Sequence, residues 1–229
     1  MDKPLHEVTV IEAEGIVLIY NHIVFYGSMA SEELAEKITR EAEQMWNEPQ
    51  GKVLLNGRTY RVVFQLDWEL DLLLKDDTIF ENQDTWQKFF RIEENHEGNI
   101  SFVDAIGSNT GFLLVKNIAN EGSTTFAHEL GHCWNLVHPK TIDFRNAAVP
   151  HIMCPRGTYV KPEFQYDANK KVWEENGVLQ FEQGATLNPI HRKVTQENID
   201  DLQLFKLKFN EESGANLAKL TNDYHYFKG

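Results

Sequence analysis

The chain has 229 residues, 41% of them hydrophobic and 25% charged, and a formal net charge of −13. That length suffices for one sizeable core, and the acidic balance argues against nucleic acid, which calls for clustered lysine and arginine. Two cysteines exclude a disulfide-dense scaffold.

The opening stretch, residues 1–7, lacks the basic-then-apolar layout of a secretory signal. The expectation is a cytoplasmic protein, one exported by a signal-less route, or a mature form. Residues 16–25 form the longest apolar run, too short and too interrupted to span a bilayer, so no membrane partner is expected. The run reads as strand, with a hairpin around Tyr20-Asn21. Residues 31–46 read as a helix: Ser31 caps it, acids fill its first turn, and Leu34, Ile38, Ala42 and Met45 mark an apolar stripe. Residues 60–66 read as a strand, a polar stretch follows to about Asp84, and residues 86–92 read as a further strand. Residues 108–116 are extended, and a loop over 117–122 leads to a helix capped by Ser123 or Thr124. Beyond His138 the chain is loop-rich, with Pro139, Pro150, Pro155 and Pro162. It closes with a helix capped by Thr195, whose apolar face carries Ile199, Leu202, Phe205 and Leu207. The expected class is α+β, in one domain over residues 1–229, with an upper part to about residue 138 and a lower part from about 139.

The informative stretch is Phe126-Ala-His-Glu-Leu-Gly-His-Cys-Trp-Asn-Leu-Val-His138. His128 and His132 are four apart, so on a helix both point to one face, as two nitrogen ligands of a tetrahedral metal require. Glu129, beside the first ligand, stands where a general base acts on a water at the metal without being a ligand itself. His138 at its further spacing makes an accidental match rare, on the order of one chain in a thousand of this composition. It also sets a geometric condition. On a continuous helix His138 would lie about 9 Å beyond His132, out of reach of the same ion. The helix must therefore end after His132 and the chain must turn back through a residue that accepts the left-handed conformation. Glycine does so freely. Asn135 is the next-best choice, at a cost of about 1 kcal/mol.

This stretch resembles the long zinc motif of the metzincin metallopeptidases, with Asn135 where the usual pattern has glycine. Residues 151–157, His-Ile-Met-Cys-Pro-Arg-Gly, resemble the family's Met-turn, with Met153 beneath the metal, and residues 194–205 are similar to the last helix of matrixin-like members. The resemblance covers most of the chain. It implies a zincin-like domain with a twisted mixed sheet, a backing helix, a zinc helix and an irregular lower part ending in a helix. It also implies one catalytic zinc held by His128, His132 and His138, with Glu129 as general base of a peptide-bond hydrolase. Structural calcium is left open. A peptide or protein substrate would add antiparallel to an edge strand, for which residues 107–116 are the candidate. Gly111, Phe112 and Leu113 would then touch the substrate, and Arg156 and Tyr159 would line the pocket beside the cleavage point. No tyrosine stands two residues after Met153, which makes a serralysin- or astacin-like assignment less apt.

Two other readings stand beside the peptidase. One is a non-catalytic protein that holds extended peptides through zinc, against which Glu129 speaks. The other is a gluzincin-type peptidase whose third ligand is a distant Glu174, Glu175 or Glu182, which His138 makes unnecessary. His151 reads as a loop residue supporting the site, and His6, His22, His96, His191 and His225 read as surface. Cys133 points away from the ligand face, and both it and Cys154 read as buried small hydrophobes.

Overall fold

The computed structural model describes residues 6–210 and 214–220. The apolar run Ile16–Tyr26 is one uninterrupted strand, β2, which follows a short antiparallel partner, β1 (Val8–Ile11). The hairpin expected at Tyr20-Asn21 is absent. One edge of β2 is lined by its parallel neighbour from Ile16 to Phe25, while the other edge changes partner at that dipeptide. Strand β1 pairs with Ile16 to Ile19, and a second parallel strand takes over from His22. An apolar run buried on both faces carries no alternation to separate one long strand from a hairpin.

Helix α1 (Glu32–Asn47) follows, with Ser31 Oγ accepting from Leu34 N at 3.3 Å as the expected cap. Its buried face is centred on Ala35, Ile38, Thr39, Ala42 and Trp46, so Leu34 and Met45 lie at the margin, half-buried. Strands β3 (Lys52–Leu55) and β4 (Arg58–Leu70) form a hairpin, and β4 is the full-length parallel neighbour of β2. The polar stretch contains a short helix, α2 (Asp76–Glu81), before β5 (Gln87–Glu93), the second parallel neighbour. Strands β6 (Phe102–Val103) and β7 (Thr110–Leu114) then complete that side, β7 parallel to β5 and β6 antiparallel to β7. The expectation that residues 107–116 form the open edge is thereby corrected: β7 is paired on both sides, and β6 is the outermost strand.

Two helices come next, the single-turn α3 (Val115–Ile118) and α4 (Thr125–Cys133), which carries the histidine motif. The lower part is mostly irregular, with a separate hairpin of β8 (Val172–Glu175) and β9 (Val178–Phe181). The last helix, α5 (Gln196–Asp201), is shorter than the sequence suggested. Thr195 and Asn198 form a capping box at its start, but Gln203 adopts φ 51° and stops it, leaving Phe205 60% exposed. Finally β10 (Gly214–Ala215) pairs with β1, so residues of the lower part return to the upper sheet and a cut at residue 138 does not separate two parts cleanly. The fold is α+β around a mixed eight-stranded sheet. Among the described residues no helix is long and apolar enough to cross a membrane.

The core lies between the sheet and helices α1 and α4. Trp134 is fully buried, with Trp46 edge-on at 4.9 Å and Phe64 at 5.1 Å, and Phe126 packs on Phe25 and Phe90. Trp46 also donates to the Ala127 carbonyl at 3.0 Å, fixing α1 to the motif helix. One wholly buried charge pair crosses this region: Lys88 Nζ lies 2.6 Å from Glu7 Oε1. Asn21 donates to the same carboxylate at 3.0 Å, and the Leu217 and Ala218 amides donate to its other oxygen at 2.8 and 2.6 Å. Every lone pair of the buried acid is thus used. Removing one member strands a buried charge, so Lys88→Met is expected to lower the unfolding free energy by about 3–5 kcal/mol in urea titrations.

Candidate metal centre

All nine residues of α4 are buried. Its start is held in an unexpected way. Thr124 is the cap position, yet its hydroxyl donates to the Pro189 carbonyl at 2.7 Å, and Ser123 Oγ accepts from Thr125 N at 3.3 Å instead. The helix end meets the geometric condition set by the sequence. Asn135 sits at φ 68°, in the left-handed region. The Leu136 amide donates back to the Gly131 carbonyl at 2.9 Å and the Asn135 amide to His132 at 3.1 Å, which together are a Schellman ending with asparagine in the glycine position. The Asn135 side chain adds a tie that glycine would lack, donating to the Leu217 carbonyl. Gly107, at φ 84°, leaves room for that amide, and its own N–H binds the His132 carbonyl at 2.8 Å.

The turn brings three imidazoles together. His138 Nε2 lies 3.1 Å from His128 Nε2 and 3.1 Å from His132 Nε2. Ligands ~2.1 Å from a tetrahedral ion stand ~3.4 Å apart, so this spacing fits one ion. The tautomers of the two helix histidines are fixed by their outer nitrogens. His128 Nδ1 meets the Ile152 carbonyl at 2.7 Å and His132 Nδ1 meets the Leu136 carbonyl at 2.8 Å. A carbonyl only accepts, so each Nδ1 carries the proton and each Nε2 turns a bare lone pair inward. Lone pairs converging in a buried site repel one another unless a cation lies between them. Burial pushes His128 well below the ordinary imidazole value, His132 down to about 4, and His138 down as well, so the rings are neutral and ready to ligate. Among the described residues, these three histidines could hold a metal ion.

Met153 is buried beneath α4, its sulfur against Gly131, where any side chain would collide with it. His151 accepts from the Met153 amide at 3.3 Å and from Asn198 at 3.4 Å, bracing this turn rather than joining the cluster. Cys133 and Cys154 are free and buried, as their surroundings suggested, and burial pushes their thiols up to about 12 and about 11. Glu129 is buried and lines a cavity of ≈210 Å³ together with His128 and His138. Burial pushes its carboxyl up to about 8, against the opposing pull of Arg192 and Arg156.

Other sequence candidates fall elsewhere. Arg156 does line the cavity, held by a 2.8 Å hydrogen bond to Asn117. Tyr159 does not: it is buried in the lower part, 5.7 Å from the Phe181 ring. Gly111, Phe112 and Leu113 are interior residues of a strand paired on both sides, and the cavity is bordered instead by Ile100 and Ser101, just before β6. Glu174 and Glu175 are exposed on β8, and Glu182 is exposed just beyond β9, outside the histidine cluster. His22 is buried, 3.2 Å from Glu69, because it lies on the central strand; His6, His96 and His191 are half-buried, and His225 lies outside the described residues. Arg192, a buried side chain on the cavity wall, was missed altogether.

No family model matches the chain, and no curated protein matches it. Fold and site together define an α+β protein with a three-histidine candidate metal centre.

Two outcomes follow from this geometry. Asn135→Gly keeps the turn but loses the link to Leu217, so its stability should stay within about 1 kcal/mol of wild type. Asn135→Val forces a β-branched residue into the left-handed region and should cost about 2 kcal/mol and weaken metal binding, read by denaturation and by competition with a chelating dye. The second outcome concerns the metal-free protein. The three lowered histidines bind fewer protons folded than unfolded, so their contribution to stability is lost as pH falls from about 6.5 towards 4. Glu129, raised to about 8, binds more protons folded, and its contribution is lost as pH rises through that value. These groups place the stability maximum of the metal-free protein near pH 6.5, and Glu129→Gln should flatten the alkaline limb in urea titrations across pH.

Proposed function

We propose that this protein is a zinc-dependent endopeptidase of the metzincin kind, with His128, His132 and His138 as metal ligands and Glu129 as general base. The observation that carries this reading is the convergence of three Nε2 atoms at a cavity that His128, His138 and the buried Glu129 line. The donor set fits zinc: three imidazoles, two of them oriented by carbonyls, with His128 and His138 on the cavity wall. Zinc bound there supplies a Lewis acid for the scissile carbonyl and lowers the pKa of a bound water towards ~7.

The chain's own residues do the rest. Among the described residues none hydrogen-bonds the Glu129 carboxylate, so it faces the cavity free to act. It takes the proton of the attacking water and delivers it to the nitrogen of the leaving amine. A carboxyl whose burial favours the protonated form suits that second role. The peptide is held as an added strand beside β6, the outermost strand among the described residues, which follows the cavity-lining Ile100 and Ser101. The Met153 and Gly131 contact supports the Met-turn part of the resemblance.

The test compares wild type and Glu129→Gln for zinc content and for turnover of a peptide library. Both should hold one zinc per chain, and the variant should be slower by on the order of 10²–10⁴. Equal turnover removes Glu129 from the chemistry. Zinc-dependent binding of extended peptides without cleavage by wild type identifies a binding protein instead.

A further inference from the structure

We propose that Arg192 is a specificity-determining residue of the cavity, which receives a carboxylate of the substrate next to the scissile bond; this rests on the peptidase reading above. Arg192 is only 5% exposed, yet its guanidinium forms no ion pair or hydrogen bond with any described residue, and its Nε is buried without a partner. That is an unusual state for a buried charge. Arginine is seldom buried unless paired, because desolvation of a lone cation is strongly unfavourable. The other buried Lys or Arg among the described residues, Lys88, obeys the rule through Glu7. Arg192 lines the cavity wall with Glu129, His128 and His138, where a substrate would lie.

The surroundings specify an acidic ligand. A second cavity of ≈220 Å³ shares Asn117, Thr125 and Arg156 with the first and adds Lys116. Among the described residues that line the two, the cations are Arg192, Arg156 and Lys116, and the only carboxylate is Glu129. Both outer cations are tied to neutral amides, Arg156 to Asn117 and Lys116 to Asn99, which leave their charge uncancelled. This basic groove sits in a chain of net charge −13. A guanidinium presents a rigid fork that matches the two oxygens of a carboxylate, and pairing in a dry cavity makes such contacts selective. The carboxylate comes either from an aspartate or glutamate side chain flanking the cleaved bond or from the chain terminus just beyond it.

The experiment uses the metal-loaded protein and peptide sets identical except for Glu against Gln at each position flanking the bond, each with a free or amidated C-terminus. Wild type should favour the acidic member by on the order of 10- to 100-fold in kcat/KM. Arg192→Gln should abolish that preference while still cleaving the neutral peptide at full zinc content, and Arg192→Lys, which keeps the charge but not the fork, should retain part of it. A difference that follows the free terminus assigns the chain end as the source; one that follows Glu assigns the side chain. No acidic preference in wild type overturns the inference while leaving the peptidase reading intact. So does an Arg192→Gln variant that slows both peptides equally, because the guanidinium then acts on Glu129 or on the fold. Affinities of Glu129→Gln for the same peptides, with and without Arg192→Gln, give a readout that does not need turnover. An Arg192-dependent preference there, with no cleavage by wild type, sinks the peptidase reading and with it the placement beside a scissile bond, leaving Arg192 as a carboxylate-binding residue only. If Arg192→Gln does not fold by circular dichroism, Arg192→Lys carries the comparison, and an unchanged preference in it overturns the role of the fork.

Discussion

One residue in the left-handed conformation decides whether this chain has a metal centre at all. The helix gives His128 and His132 a common face, but a straight continuation would carry His138 away from them. Asn135 at φ 68° ends the helix and sends the chain back, so that His138 Nε2 comes within 3.1 Å of both other rings. The same ending places the Leu136 carbonyl on His132 Nδ1, at 2.8 Å, and so sets the tautomer of that candidate ligand. Asparagine does what glycine would do for the backbone and adds a side-chain tie to Leu217.

That tie links the site to the part of the chain most distant in sequence. Leu217 and Ala218 give their amides to Glu7, which pairs with Lys88 and accepts from Asn21, and Asn21 in turn accepts from Trp134 at 2.7 Å. The residue immediately before the turn is therefore anchored by a polar network that joins Glu7, just before β1, to the central strand, β5 and the segment at Leu217 and Ala218. Hydrophobic packing of Trp134 on Trp46 and Phe64 supplies the complementary hold. Such a network stabilises only while complete, because each member left alone is a buried unsatisfied group. Rigidity at the helix end is what keeps lone pairs aimed at one point.

The site was legible because it is local. Three histidines, Glu129 and Asn135 fall within eleven consecutive residues, and helix periodicity plus one turn suffices to assemble them. Helix α1 was legible for the same reason, with Ser31 and its acidic first turn. What depends on partners far away was not. The central strand was split into a hairpin because its partner change at Tyr20-Asn21 is written in β1 and β5, not in β2. Strand β7 was taken for an edge because a two-residue strand such as β6 leaves no periodic trace. Arg192 carries no sequence signal of any kind: a lone arginine in a loop becomes notable only once its burial and lack of a partner are seen.

The account stands on His138 closing the metal site, and X-ray absorption at the zinc edge of the purified, zinc-loaded protein tests it most directly. The predicted spectrum contains three imidazole ligands at ~2.0–2.1 Å and one further light atom, with no sulfur at ~2.3 Å. Two imidazoles with a carboxylate in place of the third would contradict it, since the turn at Asn135 would then serve no metal.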